Sequence, residues 1–235
     1  VFLAGWWQER TGDVRQAWWL MFLLLGGVFL ALAVYHTIAL PRPVADEPAA
    51  RAGLITGWVR VLGEFFRKPG IVASLAFVLL YRLGESQLVK LVQPFLLDAR
   101  TAGGLGLTTK QVGIVYGTIG VTALLLGGLL GGYVVSRHGL KRLLWPMLLV
   151  MHAPNLGFVL LAATQPDHLG VIGAVVAVEQ FGYGFGFTAF MVYLMLLAEG
   201  PHQTAHYALG TGFMALGMMV PGMAAGWIED HVGYI

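Results

Sequence analysis

The chain has 235 residues, of which 57% are hydrophobic and 11% charged, and its mean hydropathy is +0.75. Soluble domains carry roughly 25% charged residues, so this composition excludes a soluble globule and points to an all-α polytopic membrane protein. A formal charge of +2 is too small to argue for nucleic acid, and the absence of cysteine excludes disulfides and thiolate metal sites.

Residues 1–7 read as the tail of one helix, and the polar turn QERTGDVRQ leads into an apolar run over about 17–40 that ends at Pro41. Residues 1–40 are therefore expected to be the end of an N-terminal bundle, the tail of one span plus one full span. The segment 41–69 is the longest polar connection. Within it Leu54, Trp58, Leu62 and Phe65 recur at helical spacing, while Arg51, Arg60, Glu64, Arg67 and Lys68 supply charge. That pattern predicts an amphipathic helix along the membrane surface, and it also suits a linker helix between two bundles.

From residue 70 the spans follow at about 70–97, 111–135, 141–164, 169–198 and 204–227, each reaching the ~20 residues a crossing needs. The joints DARTAGGLGLTTKQ, SRHGLK, TQPDHLG and EGPHQTAH are short and rich in Gly, Pro and Thr, residues found where helices stop. Alternating them across the membrane puts Arg42, Arg51, Arg60, Arg67, Lys68, Arg137, Lys141 and Arg142 on one side, and only Arg10, Arg15, Arg100 and Lys110 on the other. The richer side is expected to be cytoplasmic. The chain opens at Val1 and stops at Ile235, where another apolar segment is expected, so residues 70–235 read as a C-terminal bundle truncated before its last helix.

The span 70–97 carries Arg82, Glu85 and Lys90. At ~1.5 Å per residue Arg82 lies roughly 18 Å from Gly70, slightly past the middle of a hydrocarbon core roughly 30 Å thick. A charge there costs at least about 2.5 kcal/mol, so it normally faces a water-filled cavity, a substrate path or an opposite charge. Glu85 follows Arg82 at i+3 on one face of a continuous helix, which leaves two readings: a pathway lining, or an internal Arg82–Glu85 ion pair that locks a bundle.

Many of the 33 glycines recur at a spacing of four, as in Gly113 with Gly117, Gly127 with Gly131, Gly128 with Gly132, Gly182 with Gly186 and Gly222 with Gly226. Such small faces let helix backbones approach closely. Pro94, Pro146, Pro154 and Pro221 mark expected kinks. His152 and Asn155 are spaced for an interhelical hydrogen bond, and His202 and His206 share a face. No HExxH or ligand cluster accompanies them, so no metal or cofactor is expected. FGYGFGF lies within an apolar crossing and is no dinucleotide fingerprint.

GYVVSRHG at 132–139 and GWIEDHVG at 226–233 share a frame, each at the end of a span and three spans apart. An inverted three-helix repeat predicts that placement. Extended to GYVVSRHGLKR, the first copy resembles the loop signature of the major facilitator superfamily. Gly132, Arg137, Gly139, Lys141 and Arg142 fit it, while Ser136 stands where an aspartate is usual and Leu140 also departs. YRLGE at 81–85, QFGYGFGFTAFMVYL at 180–194 and TAHYALGTGFMALGMMVPGMAAGW at 204–227 are similar to the AmpG family of muropeptide permeases, whose relatives include acetyl-coenzyme A transporters.

That resemblance implies a major facilitator helical bundle, here its C-terminal half with inverted three-helix repeats, in a multi-pass protein of the bacterial inner membrane. It implies a non-enzymatic, monomeric, proton-coupled transporter that imports anhydro-muropeptides for peptidoglycan recycling. Its partners are then a sugar-peptide substrate, protons and the lipid bilayer. Another sugar, acyl or coenzyme A conjugate as cargo, or a non-transporting receptor or scaffold, stays open.

Glu179 lies roughly 14 Å into its span, and the resemblance implies that its helix and that of Arg82 border one cavity. Arg82, Glu85, Glu179, Gln180, Tyr183, Tyr81 and Lys90 are then the candidate substrate and proton pathway. Desolvation favours the neutral form of a carboxylate and a nearby arginine the ionised form, a balance a proton carrier needs. A permanent Glu179–Arg82 salt bridge is the architectural alternative. Tyr116, Phe181 and Tyr193 add aromatic faces of the kind sugars use, and also the kind that pack a bundle.

Overall fold

The computed structural model describes residues 2–40 and 54–234, residues 54–56 by their backbone only. Arg42, Arg51 and the PRPVADEP stretch lie outside the described residues, as does the side chain of Leu54. Helices α1 (Phe2–Thr11) and α2 (Val14–Ala39) are joined at Gly12, and Asp13 caps α2 by accepting from the backbone N–H of Arg15 and Gln16 at 2.8 and 3.1 Å. Next come α3 (Leu54–Phe66), α4 (Ile71–Tyr81) and α5 (Leu83–Leu97), the last two forming one span. The following span comprises α6 (Thr109–Ile114), a π-helical turn at Val115–Gly120 and α7 (Val121–His138). A further span holds α8 (Leu140–His152), a 3-10 turn at Ala153–Asn155 and α9 (Leu156–Thr164). Helices α10 (Leu169–Ala198) and α11 (Gln203–Val232) complete the set. Among the described residues six segments are long and apolar enough to cross a membrane, matching the expected spans within a few residues at each end.

The centre of the bundle is α10, packed on α7, α8 and α11. Glycine makes this possible on two sides of the helix. A Cβ on Gly127 or Gly131 of α7 would run into the backbone of Phe181 or Phe185, and one on Gly182 or Gly186 of α10 into Val150 or Met147 and Met151 of α8. Gly113 is pressed against Phe2 of α1, and Gly222 lies against Ser86 and Lys90 of α5. Gly117 and Gly226 face open space, so the spacing of four overstates the packed set.

Side-chain contacts group the joints as alternation requires. At one end of the bundle Arg100 donates to the carbonyls of Gln165 and Pro166 at 2.6 and 3.0 Å and pairs with Asp167 at 3.0 Å. There too the Tyr234 hydroxyl donates to Asp98 at 2.7 Å, and Lys110 pairs with Glu9 at 2.8 Å. At the other end Lys68 donates to the carbonyls of Leu197 and Glu199 at 2.6 and 2.8 Å, closing the C-terminus of α10. Burial pulls the Lys68 ammonium below the usual lysine range, and the Glu199 carboxylate opposes that pull.

Helix α3 departs from a simple surface helix. Phe65 is fully buried and stacks on Phe213 of α11 at 6.4 Å, the His206 ring hydrogen-bonds the Val61 carbonyl at 3.2 Å, and His202 pairs with Glu64 at 3.5 Å. Trp58, Val59 and Phe66 remain exposed. One apolar face is thus divided between α11 and the surroundings.

The span 70–97 departs from the single helix expected, since it is two helices and not one. The chain breaks at Arg82, with φ −105° and ψ 13°. Gly84 follows two residues later, and no proline marks the place. Pro94, Pro146 and Pro221 lie inside continuous helices, and only Pro154 coincides with a change of winding.

Candidate functional site

Two neighbouring polar groups form inside the bundle, and Glu85 is in electrostatic reach of both. The first is built by the break. Arg82, 6% exposed, donates from Nη2 to the Tyr183 hydroxyl at 2.6 Å. Its guanidinium also lies 4.8 Å from the centre of the Phe187 ring and 5.4 Å from that of Tyr183. Tyr183 and Phe187 sit one turn apart on α10 and stack at 5.5 Å, so they present a double aromatic face to the cation. Tyr81, buried beside Arg82, stacks on Phe190 at 4.6 Å and donates its hydroxyl to the Gly186 carbonyl at 2.9 Å. Its own carbonyl meets His152 Nε2 of α8 at 2.8 Å.

The second group surrounds Glu179, which is 1% exposed, about 15 Å along α10 from its start. Glu179 Oε2 accepts from the Tyr116 hydroxyl at 3.3 Å and from Gln180 Nε2 at 3.0 Å. Tyr116 belongs to the π-helical turn, a winding that re-aims side chains and recurs at functional sites. Glu85, 2% exposed, lies within electrostatic reach of Arg82, Tyr116, Glu179 and Tyr183. Its Oε2 and the Arg82 Nε are buried without a hydrogen-bond partner among the described residues.

Neither of the alternative ion pairs is formed. The three ion pairs among the described residues are Arg100–Asp167, Lys110–Glu9 and His202–Glu64, all peripheral, and Arg82 joins neither Glu85 nor Glu179. The break at Arg82 is the reason for the first, because i+3 neighbours share a face only along a continuous helix. Lys90 is not brought into either group. It is exposed, with its stem against Gly222 of α11. Tyr193 packs against Phe77 and Phe181 against Phe185. Two cavities, of about 560 and 350 Å³, lie between the α4–α5 span and the α8–α9 span and share Gly84 and Asn155, and neither is lined by Arg82, Glu85 or Glu179.

A model of the Major Facilitator Superfamily matches residues 1–233. The chain belongs to that superfamily. Its members are membrane transporters and not enzymes, in keeping with the six apolar spans. This facilitator chain is similar to the anhydromuropeptide permease of Escherichia coli K12, with 30% identity over 232 residues, covering 99% of this chain and 45% of that protein. It is 28% identical over 225 residues to an uncharacterized protein of Haemophilus influenzae, covering 92% of this chain and 50% of the relative. It is 25% identical over 205 residues to putative transporter AmpG 2 of Rickettsia prowazekii, covering 87% and 47%. The chain spans about half the length of the curated relatives it matches.

The loop signature of this facilitator chain has one firm geometric element. Gly139 closes α7 at φ +77°, a conformation that a side chain would strain, and Gly233 closes α11 at the same φ. Ser136 donates to its own helix at the Tyr133 carbonyl, 2.8 Å away, and Arg137 lies over the Tyr133 ring at 5.4 Å. Lys141 and Arg142 are exposed, and Gly132 is in loose contact with Thr188. Among the described residues no cluster of His, Asp and Glu could hold a metal.

Sequence reading missed Phe187 and the role of the Gly186 carbonyl. Phe187 had one signal, its i+4 spacing from Tyr183. The π turn around Tyr116 had none beyond Gly117 and Gly120.

Proposed function

We propose that the full-length protein imports anhydro-muropeptides, N-acetylglucosaminyl-anhydro-N-acetylmuramic acid with or without peptide, across the bacterial inner membrane in symport with protons. Peptidoglycan recycling is the process this would serve, and a monomer is the working unit. Similarity to an anhydromuropeptide permease supports the cargo. The observation that carries proton coupling is the setting of Glu179: a carboxylate buried far from either membrane face, held by Tyr116 and Gln180, with no cation in ion-pair range among the described residues. Neutral partners serve either protonation state, since an amide donates to a carboxylate and a phenol both donates and accepts. A permanent salt bridge would hold the proton off. Glu85, buried with one oxygen unpartnered among the described residues, is the second carrier candidate.

Arg82 then supplies the positive site for the anionic carboxylates of a lactyl-peptide cargo. Its bond to Tyr183 is to a neutral hydroxyl, so an incoming carboxylate displaces no internal anion. A coenzyme A conjugate would need more than one buried cation to match its phosphates, and Arg82 is alone in these two groups.

The test is uptake of labelled N-acetylglucosaminyl-anhydro-muropeptide by proteoliposomes holding the full-length parent protein, with and without an inward proton gradient. Gradient-dependent accumulation supports the reading. Absence of uptake by folded protein removes the muropeptide cargo.

A further inference from the structure

We infer that His152 is a positioning residue for Arg82, holding open the break in the α4–α5 span so that the guanidinium is aimed at Tyr183. The inference rests on the proposed role of Arg82 in cargo binding for its kinetic consequence, and on geometry alone for its structural one.

An unbroken helix would carry a bond from the Glu85 N–H to the Tyr81 carbonyl. Helix α4 instead ends at Tyr81 and α5 starts at Leu83, an interruption which that bond would close, and the backbone resumes with Ser86 N–H to the Arg82 carbonyl at 2.9 Å. The Tyr81 carbonyl then lacks its helical partner inside an apolar span, where another group has to take it. His152 Nε2 takes it at 2.8 Å. A carbonyl has only lone pairs to offer, so Nε2 carries a proton and Nδ1 is the nitrogen that does not face the carbonyl. Nδ1 turns toward Gly84, where an added Cβ would lie 3.5 Å away. The first turn of α5 is thus shaped around this imidazole.

Tyr81 is pinned at its other end as well, by its hydroxyl on the Gly186 carbonyl of α10. Two anchors from two different helices therefore fix the residue immediately before Arg82. The side chain of Arg82 reaches Tyr183, three residues before Gly186 on the same helix. Without the His152 bond the cheapest way to satisfy the Tyr81 carbonyl is to restore the helical bond to Glu85, which closes the break and swings Arg82 around the helix axis.

The experiment uses the full-length parent protein with His152→Leu, His152→Gln, Arg82→Gln and the double variant of His152→Leu with Arg82→Gln. Two readouts are taken: uptake kinetics in proteoliposomes, and backbone hydrogen exchange across residues 80–86. His152→Leu should raise KM about tenfold, the scale of one buried hydrogen bond, with kcat little changed, and should alter exchange at Leu83–Ser86. His152→Gln keeps an N–H donor and should restore both. In the Arg82→Gln background, His152→Leu should add nothing to KM. An unchanged exchange pattern in His152→Leu, or a KM effect that persists without Arg82, would overturn the inference. Altered exchange in a protein whose wild type takes up no muropeptide would sink the cargo reading and leave the positioning role standing. If His152→Leu does not accumulate, Gly84→Val, which crowds Nδ1 from the opposite side, is read by the same assays.

Discussion

Arg82 and Tyr183, 101 positions apart in the chain, meet in a 2.6 Å hydrogen bond within the bundle, and the arginine has no carboxylate in ion-pair range among the described residues. A buried cation that meets one phenol and two ring faces keeps its charge available to a ligand. Tyr183→Phe should leave one guanidinium donor unpaired. The cost is about 1.5–3 kcal/mol for a hydrogen bond to a charged group. The expected outcome is a lower thermal midpoint of the purified full-length protein and a KM for uptake raised several-fold. If neither moves, the bond is incidental.

Glu179 tests coupling separately from binding. Glu179→Gln preserves size and can still bond Tyr116 and Gln180, so the fold should persist. Exchange of labelled for unlabelled cargo should continue in the variant while accumulation driven by a proton gradient is lost. Accumulation that survives unchanged would take Glu179 out of the coupling path.

The glycine contacts around α10 are unequal, and that inequality is measurable. Gly127→Val must push α7 off the Phe181 carbonyl and should cost on the order of 1–3 kcal/mol as overpacking. Gly226→Ala meets open space and should be nearly neutral. Thermal unfolding in detergent separates them, and equal losses would show that the α7–α10 contact is not what the glycine serves.

Docking of α3 depends chiefly on Phe65. Phe65→Ala should remove about 3–5 kcal/mol of packing by the usual cost of emptying a buried aromatic site. Limited proteolysis of the full-length protein should then cut within 54–68 faster, while Trp58→Ala, which empties an exposed position, should not. Indistinguishable cleavage of the two variants would mean that α3 is held by its histidine contacts.

Six apolar spans, their ends and the depth of Arg82, Glu85 and Glu179 could be read from the residues alone, because a bilayer constrains each segment separately. A crossing must be long and apolar and must bond its own backbone, and a charge within it stands out without knowledge of any neighbour. The sides of the joints follow from alternation for the same reason. What each charge touches could not be read that way. The reading that paired Arg82 with Glu85 assumed a continuous helix, and the break that separates them is held by His152 of α8 and the Gly186 carbonyl of α10. The partner of Glu179 depends on a π turn in another span. Glycine spacing announced close packing but could not separate Gly127 and Gly131, which meet α10, from Gly117 and Gly226, which meet nothing. These outcomes were decided by groups tens of residues distant, whose hydrogen bonds and contacts exist only once the helices are assembled.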